Sequence, residues 1–560
     1  MEGSTMTLLP VRQGRGSSAE RSQTRDLRPN GLIGRRRLLM ISSAIATSCS
    51  GCTLVGPNFK TPSAPVAPAY LGAGGQPLPA KEPELRDWWK VFGDPALNHL
   101  VELAYEENLT LQAAGARVLE ARAELGIATG NVYPQTQAIS GDISYNRLSQ
   151  EDVYSSGVPS TNFWRAALGP ELIWELDFWG KFRRGVESAT AAYLASIANY
   201  DDVLVSLLGN VATTYLGIRT LERQIEIAKT NIGTQRHALN IAQTRFDEGS
   251  TTQLDVYQAQ DVLATTEAQV PQLEIQLAQG KNALVVLLGM APQSLDPILS
   301  VSSGIPATPD DVVVGIPADL LRRRPDVRAA ELLAAAQSAQ IGIAKADLYP
   351  AFSLFGTVGL STTNAPGKTF GDFFTYNAVS FSFGPSFSWN IFNYGRISNN
   401  VRVQDARLQA RLIDYKNTVL TAQEEVENGV ASYVFSRQQV DFLRRSVRAT
   451  QGALNLALLQ YYEGLVDFTT VLTTEQNLLQ AETNLAAARG AVASSVARIY
   501  RALGGGWEIA DDNGFVSPAT REEMIERTDW GQLLPPEGRP KPAVPPKGFW
   551  HNIGVGPPEW

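Results

Sequence analysis

Histidine and cysteine are the side chains of this chain with the most capacity for catalysis and metal binding, and they are few. The three histidines, His99, His237 and His551, are far apart in the sequence, and the two cysteines lie near the N-terminus. No glycine-rich loop of the phosphate-binding type is present. Nucleophilic catalysis and metal coordination each need several reactive groups at one site. We therefore expect no enzyme activity, no metal site and no bound cofactor.

Cys52 is the residue whose surroundings indicate covalent modification. The small residues Ser50 and Gly51 precede it, after a basic and then apolar segment between positions 34 and 47. This order is typical of an export signal that a lipoprotein signal peptidase cuts before the cysteine, which then carries a diacylglycerol. The apolar segment is too short to cross a bilayer as a helix. We expect residues 1–51 to form the signal peptide region and Cys52 to carry an N-terminal lipid.

Other outcomes remain open at this boundary. Cys49 sits where leucine is usual in such signals, so it is a second candidate for the lipid. A Cys49–Cys52 disulfide, or two unmodified thiols, would explain the same residues. Thr53 stands where some bacteria use aspartate to retain lipoproteins in the inner membrane. The sequence therefore favours a lipoprotein of the outer membrane.

The net charge of the chain argues against nucleic acid as a partner. The chain of 560 residues has a formal net charge of −8 at pH 7. The signal region is basic, so the remainder of the chain is more acidic still. A chain this acidic is not expected to bind nucleic acid.

Two parts of the chain match one another at an offset of 215 residues. Gly169–Lys181 matches Gly384–Arg396, sharing a Gly-Pro pair, a tryptophan and an aromatic-Gly-basic ending, and Gly249 then falls on Gly464. Such matches at glycine and proline rarely arise by chance, so we expect one architecture present twice. The expected segments are a lipidated Pro-rich leader at 52–94, a first structural repeat at 95–290, an inter-repeat connection at 291–330, a second repeat at 331–506 and an extended Pro/Trp-rich periplasmic tail at 507–560 that packs partly on the helices.

Four segments alternate apolar and polar side chains with the period of two that indicates β-strands. They lie at 139–146, 164–178, 352–361 and 379–391, and the fourth alternates aromatic or aliphatic residues with serine. A water-soluble sandwich with one buried face would give the same alternation. Three features favour membrane strands. The polar face of the fourth segment is small and uncharged, the chain carries an export signal, and the segments are close in length to a strand that crosses a bilayer, which takes about 9–11 residues.

The number of strands dictates assembly. Four strands cannot close a barrel, and an open sheet in lipid leaves unpaired backbone groups at its edges. A dimer would form a narrow barrel of about eight strands filled by side chains, whereas a trimer would have about twelve strands and room for a lumen. The polar inner face favours the trimer.

Long helices follow the strands. Residues 181–248 and 396–463 contain no proline and are rich in Ala, Leu, Gln, Arg and Glu, so each can extend for about 100 Å as a helix. Each ends at a glycine, Gly249 or Gly464. Shorter helices that return from these turns are expected at 252–289 and 467–503. An intracellular coiled coil would have a similar composition, but strands leading directly into the helices disfavour it.

Two further segments have the features of helix starts. Asp94 is a candidate N-cap before Pro95, at the beginning of a helical pattern that continues to residue 130. The segment Leu321–Asp326 contains three arginines and would form a weak basic patch. Pro325 at an early helical position, with carboxylates nearby, favours a helix start here as well.

These residues together match a known family. The leader Cys52–Pro62, the segment Leu320–Glu331, the Tyr-Pro pairs at 133 and 349, and the turn Tyr462–Gly464 resemble the outer membrane factors of the TolC family, specifically the NodT-type lipoproteins of multidrug efflux. The resemblance implies a homotrimer, with an outer-membrane β-barrel of about twelve strands continued by a long periplasmic α-helical barrel. It also implies two protein partners, a periplasmic adaptor (membrane fusion) protein and an inner-membrane RND transporter.

The resemblance assigns a docking role to the two helical turns. The residues at the periplasmic tips, where family members meet the adaptor, correspond to Gly249, Ser250, Thr252, Gly464, Leu465 and Asp467. Helix capping alone would explain the same residue types, with glycine ending one helix and Ser, Thr or Asp capping the next. Both roles are compatible at one turn.

The resemblance also draws attention to the periplasmic aperture. In TolC, acidic residues shortly after the second turn ring this aperture. Counted from Gly464, their positions are Thr470 and Thr473, so the acidic ring is missing here, although Asp255 has the equivalent place in the first repeat. We hypothesise that Asp255 and Asp467 supply charge near the aperture, the alternative being an ordinary solvated helix face.

The expected function is that of a passive exit duct, conducting drugs or other small molecules delivered by an inner-membrane pump. Two alternatives remain: the duct of a type I protein secretion system, and a structural envelope lipoprotein that conducts nothing. The lipid anchor and the arginine-rich segment favour efflux over secretion. The four two-faced strands disfavour the structural alternative.

Overall fold

The computed structural model describes residues 54–67, 84–149, 151, 162–309, 323–365, 367, 369–510 and 514–534. These residues belong to a unit that begins at Thr53. The signal region and both cysteines lie outside the described residues. The expectation of a lipid on Cys52 therefore remains a prediction.

Helices make up most of the described chain, and the two halves share a helix, two strands, a long helix and a shorter returning helix in that order. The first half contains α1 (Pro95–Glu107), α2 (Leu109–Gly130), β1 (Thr136–Arg147), β2 (Asn162–Leu176), α3 (Lys181–Asp247) and α4 (Gln253–Leu287). After a short helix, α5 (Asp296–Leu299), the second half contains α6 (Pro325–Ala346), β3 (Ala351–Thr363), β4 (Val379–Ser388), α7 (Arg396–Tyr462) and α8 (Phe468–Ala502). A last α-helix, α9, spans Pro518–Arg527, and short 3-10 helices lie at Trp88–Phe92, Phe370–Phe374, Tyr376–Ala378, Trp507–Ala510 and Gly531–Leu533.

The four predicted strands form one antiparallel sheet in the order β1-β2-β3-β4. Two of them end earlier than the alternation predicts. β2 ends at Leu176 because the Asp177 carboxylate accepts a hydrogen bond from the backbone N–H of Phe182 (3.0 Å) and so starts the next helix. β4 ends at Ser388 instead of continuing to Ile391. The sequence pattern located all four strands, and its errors are confined to their ends.

The register of the sheet collects the apolar side chains on one face. Cross-strand neighbours on this face include Tyr145 and Trp164, Leu168 and Leu360, and Val358 and Phe381. On the opposite face Glu171 pairs with Thr357, which also pairs with Ser382. The apolar face is uncovered, since Ile139 and Phe383 are each 79% exposed. The described part of the chain therefore has no second layer that would make this sheet half of a soluble sandwich.

The predicted long helices are confirmed. α3 and α7 each contain 67 residues, and the returning helices α4 and α8 each contain 35. At 1.5 Å per residue, α3 and α7 each extend for about 100 Å. Among the described helices, none has an apolar stretch long enough to cross a membrane.

The predicted helix at 95–130 is two helices, and Asn108 is the reason. Its side chain accepts a hydrogen bond from the backbone N–H of Leu111 (2.8 Å) and donates one to the carbonyl of Leu287 (2.9 Å). Asn108 thus caps α2 while tying this point to the end of α4. The predicted cap at Asp94 is confirmed, because its carboxylate accepts from the backbone N–H of Ala96 (2.9 Å).

The apolar core follows the helices in separate clusters. The largest joins the 3-10 helix at Trp88, α1, α3, α4, α7 and α8 around side chains such as Leu100, Tyr215, Leu284 and Val496. A second cluster lies near the two helical turns and joins α3, α4, α7 and α8. The leader runs along this framework, where Thr61 donates to Glu331 on α6 (2.7 Å).

The tail differs from the extended segment that its prolines predicted. Residues 518–527 form α9, with Pro518 at its start and Ser517 as its N-cap. The predicted packing on the helices is confirmed in the part that the structure describes, to residue 534. The Phe515 ring packs edge-on against Tyr200 at 5.5 Å, and Arg122 donates to the carbonyl of Leu533 (2.9 Å). A proline at the first turn is compatible with a helix, which the composition alone did not reveal.

Candidate functional site: the paired helical turns

The two turns at the far ends of the long helices share one backbone geometry. Gly249 and Gly464 both have φ of 74°. The backbone N–H of Ser250 donates to the carbonyl of Arg245, and that of Leu465 donates to Gln460, each at 2.8 Å. These bonds satisfy carbonyls that would be left unpaired where a helix ends. Glycine is required at both positions because a Cβ atom disfavours this left-handed conformation.

The capping explanation of these turns is only half correct. Glycine ends each preceding helix as predicted, but neither Thr252 nor Asp467 makes a side-chain cap to the helix that it precedes. Ser250, Thr252 and Asp467 are exposed, and Leu465 is 73% exposed. These polar and apolar side chains are therefore presented to solvent at fixed positions.

Arg245 joins the two turns. Its guanidinium lies 4.6 Å from the centre of the Tyr461 ring and donates hydrogen bonds to the carbonyls of Tyr461 and Tyr462. Arg245 belongs to the last turn of α3, whereas both tyrosines end α7. A cation stacked on an aromatic ring and bonded to helix-terminal carbonyls is a favourable combination. The contact connects segments that are more than 200 residues apart in the sequence.

Asp255 adds a second connection between the turns. Its carboxylate accepts hydrogen bonds from the hydroxyls of Thr251 and, at 3.4 Å, Tyr461. Burial and then the negative charge of Asp255 raise the pKa of the Tyr461 hydroxyl, which stays protonated and able to donate. Asp255 is thus an acceptor inside the contact between the turns.

The other predicted aperture residues are not brought into this contact. Thr470, Thr473 and Asp467 are exposed on α8 or just before it. The Thr473 hydroxyl donates to the Thr469 carbonyl of its own helix at 2.8 Å. Of the predicted residues, the structure joins only Asp255 to the opposite turn.

Arg245 and Tyr461 are site residues that were not predicted from the sequence. Arg245 lies four residues before Gly249, and Tyr461 lies three residues before Gly464. The available signal was an arginine and a tyrosine in the last helical turns of two matching hairpins. It was insufficient because the contact forms only when the two hairpins pack together.

The arginine-rich segment is a helix start, as its proline indicated. Arg324 is buried and donates to the carbonyl of Ala502 (2.6 Å) and to the carboxylates of Asp326 and Glu425 (2.8 Å each). Arg323 pairs with Glu508. These arginines neutralise carboxylates within the chain and join α6 to the end of α8.

Among the residues that the structure describes, no group of three or more His, Cys, Asp or Glu side chains could hold a metal ion. The turns present exposed side chains to solvent and connect the two hairpins. Their geometry suits contact with another protein and a change in the packing of two hairpins.

Comparison with known proteins identifies a family. The family model described as "Outer membrane efflux protein" matches residues 100–290 and 316–505. A pyoverdine export outer membrane protein, OpmQ of Pseudomonas putida, is 32% identical over 461 residues, which cover 80% of this chain and 95% of that protein. Nodulation protein T of Rhizobium leguminosarum bv. viciae is 29% identical over 469 residues, covering 83% of this chain and 93% of that protein.

A solved structure gives the same result for the fold. The outer-membrane channel OprN is 34% identical, with a TM-score of 0.74, and the match covers 81% of this chain and 100% of that one. The resemblance predicted from the leader, the arginine-rich segment and the turns is thereby confirmed, as are an efflux function and a location in the outer membrane. The family consists of channel and efflux proteins rather than enzymes. This chain belongs to the outer membrane efflux protein family.

Proposed function

We propose that this protein is the outer-membrane exit duct of a tripartite efflux pump and that three copies assemble around one lumen. The observation that carries the trimer is the four-stranded sheet, in which β1 and β4 each have one edge without a partner strand among the described residues. In lipid, each unpaired backbone group costs several kcal/mol. Pairing β1 of one copy with β4 of the next removes every free edge, and three copies give about twelve strands.

The exposed side chains of the sheet support its insertion in a membrane. Large aromatic residues cluster at both ends of β4. Phe374 and Tyr376 precede it with exposures of 84% and 90%, and Phe392 and Tyr394 follow it with exposures of 86% and 102%. Transmembrane barrels carry aromatic side chains at both membrane interfaces, on either side of an outward-facing apolar band. The uncovered apolar face of the sheet supplies that band, and its polar face lines the lumen.

The leader supports a lipid on Cys52. Leu54 and Val55 follow Cys52 closely in the sequence, and the Val55 backbone N–H donates to the carbonyl of Trp179, between β2 and α3 (3.1 Å). The Arg184 guanidinium donates to the Val55 carbonyl at 3.2 Å. This fixes the leader at the end of the sheet where the helices begin. A diacylglycerol on Cys52 enters the membrane leaflet that surrounds this end of the barrel.

The helices form the periplasmic part of the duct. The order of elements that the two halves share reflects an internal duplication. The exposed residues of the turns, Leu465 and Ser250 among them, dock on a periplasmic adaptor that also engages an inner-membrane RND transporter. The contacts of Arg245 and Asp255 with Tyr461 hold the hairpins together at the closed tip. Asp255 acts there as a hydrogen-bond acceptor, which replaces the acidic ring that Thr470 and Thr473 cannot form.

Disulfide cross-linking between sheet edges tests this assembly. Ser144→Cys on β1 and Ser382→Cys on β4 lie on the polar face, and neighbouring serines on each strand allow the unknown register between copies to be sampled. Oxidation of outer membranes should give species of two and three times the chain's mass. Thr357→Cys with Ser382→Cys, which pair within one sheet, should cross-link without a change in mass. A ladder that stops at the dimer, or no ladder at any register, would exclude the trimer.

A further inference from the structure

Glu475 is a carboxylate buried in an apolar helix interface. It lies on α8 and is 1% exposed. Neither of its carboxylate oxygens has a hydrogen-bond partner among the described residues. Val471, one turn before it, and Leu478, one turn after it, belong to the apolar cluster near the turns. Glu475 therefore occupies a position in a helical stripe whose other members are apolar.

This cluster is the packing surface between the two hairpins. Its members come from all four long helices and include Ala238 and Ala242 on α3, Ala259 and Val262 on α4, Leu454 and Ala457 on α7, and Val471 and Leu478 on α8. Separating hairpin α3–α4 from hairpin α7–α8 would expose the cluster to water. Glu475 would be exposed with it.

Gln235, on α3, is a second buried polar side chain at about the same height along the helices as Glu475. It is 2% exposed, and both its amide nitrogen and its amide oxygen lack a partner among the described residues. The hydrogen bond between Asn231 and Glu482 (2.8 Å) sets the alignment of α3 and α8. Counted from this bond, Gln235 and Glu475 lie within about one turn of one another along the helix axes. Packed hairpins leave these polar atoms unsatisfied, whereas water would satisfy them after separation.

No described charged group shifts the pKa of Glu475. The titratable and charged groups on the neighbouring parts of the four helices are Arg236, His237, Arg245 and Asp247 on α3, Asp255, Tyr257, Asp261 and Glu267 on α4, Arg448, Tyr461 and Tyr462 on α7, and Asp467 and Glu482 on α8. Burial raises the pKa of Glu475 to about 7, and none of these groups contributes to that shift. The carboxyl is thus neutral when the hairpins are packed at mildly acidic pH.

We propose that Glu475 is a protonation-dependent latch: it stays protonated while the hairpins are packed and loses its proton when they separate and water reaches it. This inference rests on the proposed function, in which separation of the hairpins opens the duct. Opening then releases a proton at each copy. A more acidic periplasm favours the closed tip, and a more alkaline one favours opening.

The pH window follows from the difference between the two states. The pKa of Glu475 is about 7 in the packed state, against an ordinary value of 4.5 in water. Below the lower value both states are protonated, so pH has no effect through this group. Between the two values only the separated state releases the proton, so packing weakens as pH rises, and above about 7 the loss is complete. Each unit of difference is tenfold, so the packing equilibrium should change by roughly three hundredfold across this window.

The distance between the hairpins at different pH tests the latch. Spin labels on Ser250→Cys and Leu465→Cys in the full chain, diluted with excess unlabelled chain, report the separation of the turns within one copy. We expect the longer-distance population to grow between pH 5 and 8. Glu475→Gln cannot ionise and should hold the short distance throughout. Glu475→Leu, which fills the same site without a polar head, should do the same if the glutamine variant folds poorly.

Two controls separate the latch from other sources of pH dependence. Burial also raises the pKa of Asp202, on α3, to about 6, but the charges that act on it are those of the cluster around Arg324. Asp202→Asn should therefore retain the pH response of the wild type. An unchanged distance in the wild type from pH 5 to 8, a response that persists in Glu475→Gln, or one that disappears in Asp202→Asn would each overturn the proposal.

Conductance of the same proteins in planar bilayers distinguishes failure of the latch from failure of the proposed function. Arg245→Ala removes the contact between the turns and should conduct at every pH. If it conducts while Glu475→Gln and the wild type respond to pH alike, the latch is wrong and the duct stands. If no variant conducts although the distance responds as expected, the latch stands and the duct is wrong.

Discussion

At the turns, a small number of side chains hold two long hairpins together. Arg245 stacks on Tyr461 and bonds to the end of α7, and Asp255 accepts from the same tyrosine. The neighbouring apolar cluster surrounds the buried carboxyl of Glu475, which has no hydrogen-bond partner among the described residues. The contacts at the turns therefore hold the hairpins together. The buried carboxyl next to them would be more stable in water, so it favours separation of the hairpins. This combination suits an interface that must close firmly and still separate.

Replacing Arg245 tests the contribution of the contact. Arg245→Ala should weaken packing of the turns by about 1–3 kcal/mol, since it removes a cation–π contact and hydrogen bonds from a charged donor. Single-channel recordings should show a larger open fraction. Arg236→Ala is the matched control, because this exposed arginine on the same helix pairs with Glu267 at the surface and such pairs contribute little. Equal open fractions in the two variants would contradict the role given to Arg245.

At the scale of elements, α3 is the helix that organises the chain. It contacts α4, α6 and α8, receives the leader at its first turn and ends at the first of the two helical turns. Arg184 explains how the leader is fixed: its guanidinium is fully buried, pairs with Glu187 (2.6 Å) and donates to Asn58 (2.8 Å). Removal of this side chain would leave Glu187 as a buried charge without its cation.

Two ion pairs on α3 provide a controlled test of this claim. Arg184 and Glu187 are buried, whereas Arg223 and Glu226 have the same spacing but are exposed. Arg184→Met should cost about 3–5 kcal/mol, because it breaks a buried pair. Arg223→Met should cost less than about 1 kcal/mol. Thermal unfolding in detergent measures the stability of the two variants. A similar loss of stability in Arg184→Met and Arg223→Met would refute the role given to Arg184.

The elements also show what the sequence could predict. Local periodicity and the positions of glycine and proline indicate strands and long helices. The bounds of the four strands and of α3, α4, α7 and α8 were therefore predicted to within a few residues. The break at Asn108 was not, because it depends on a bond to Leu287, distant in the sequence. The contact of Arg245 with Tyr461 escaped prediction for the same reason. Tertiary partners, rather than local pattern, determine these features.

At the scale of the whole molecule, the proposed function requires more than one copy of the chain. Among the described residues, its sheet has two edges without a partner strand and an uncovered apolar face, and its turns present exposed side chains beyond what helix ends require. In the proposed assembly, further copies of the chain pair with these edges, lipid covers the apolar face, and an adaptor binds the turns. The chain therefore has the features of one part of an assembly that connects two membranes.

Photo-cross-linking in cells expressing the complete export systems tests this account most directly. A photoreactive amino acid at Ser250, in an exposed turn, should capture a periplasmic adaptor of an RND efflux pump, identified by mass spectrometry. The same amino acid at Glu523, an exposed residue of α9 distant in sequence from the turns, is the control and should not. Capture of an adaptor from an ABC-type protein secretion system, or of no adaptor at all, would contradict the proposed function.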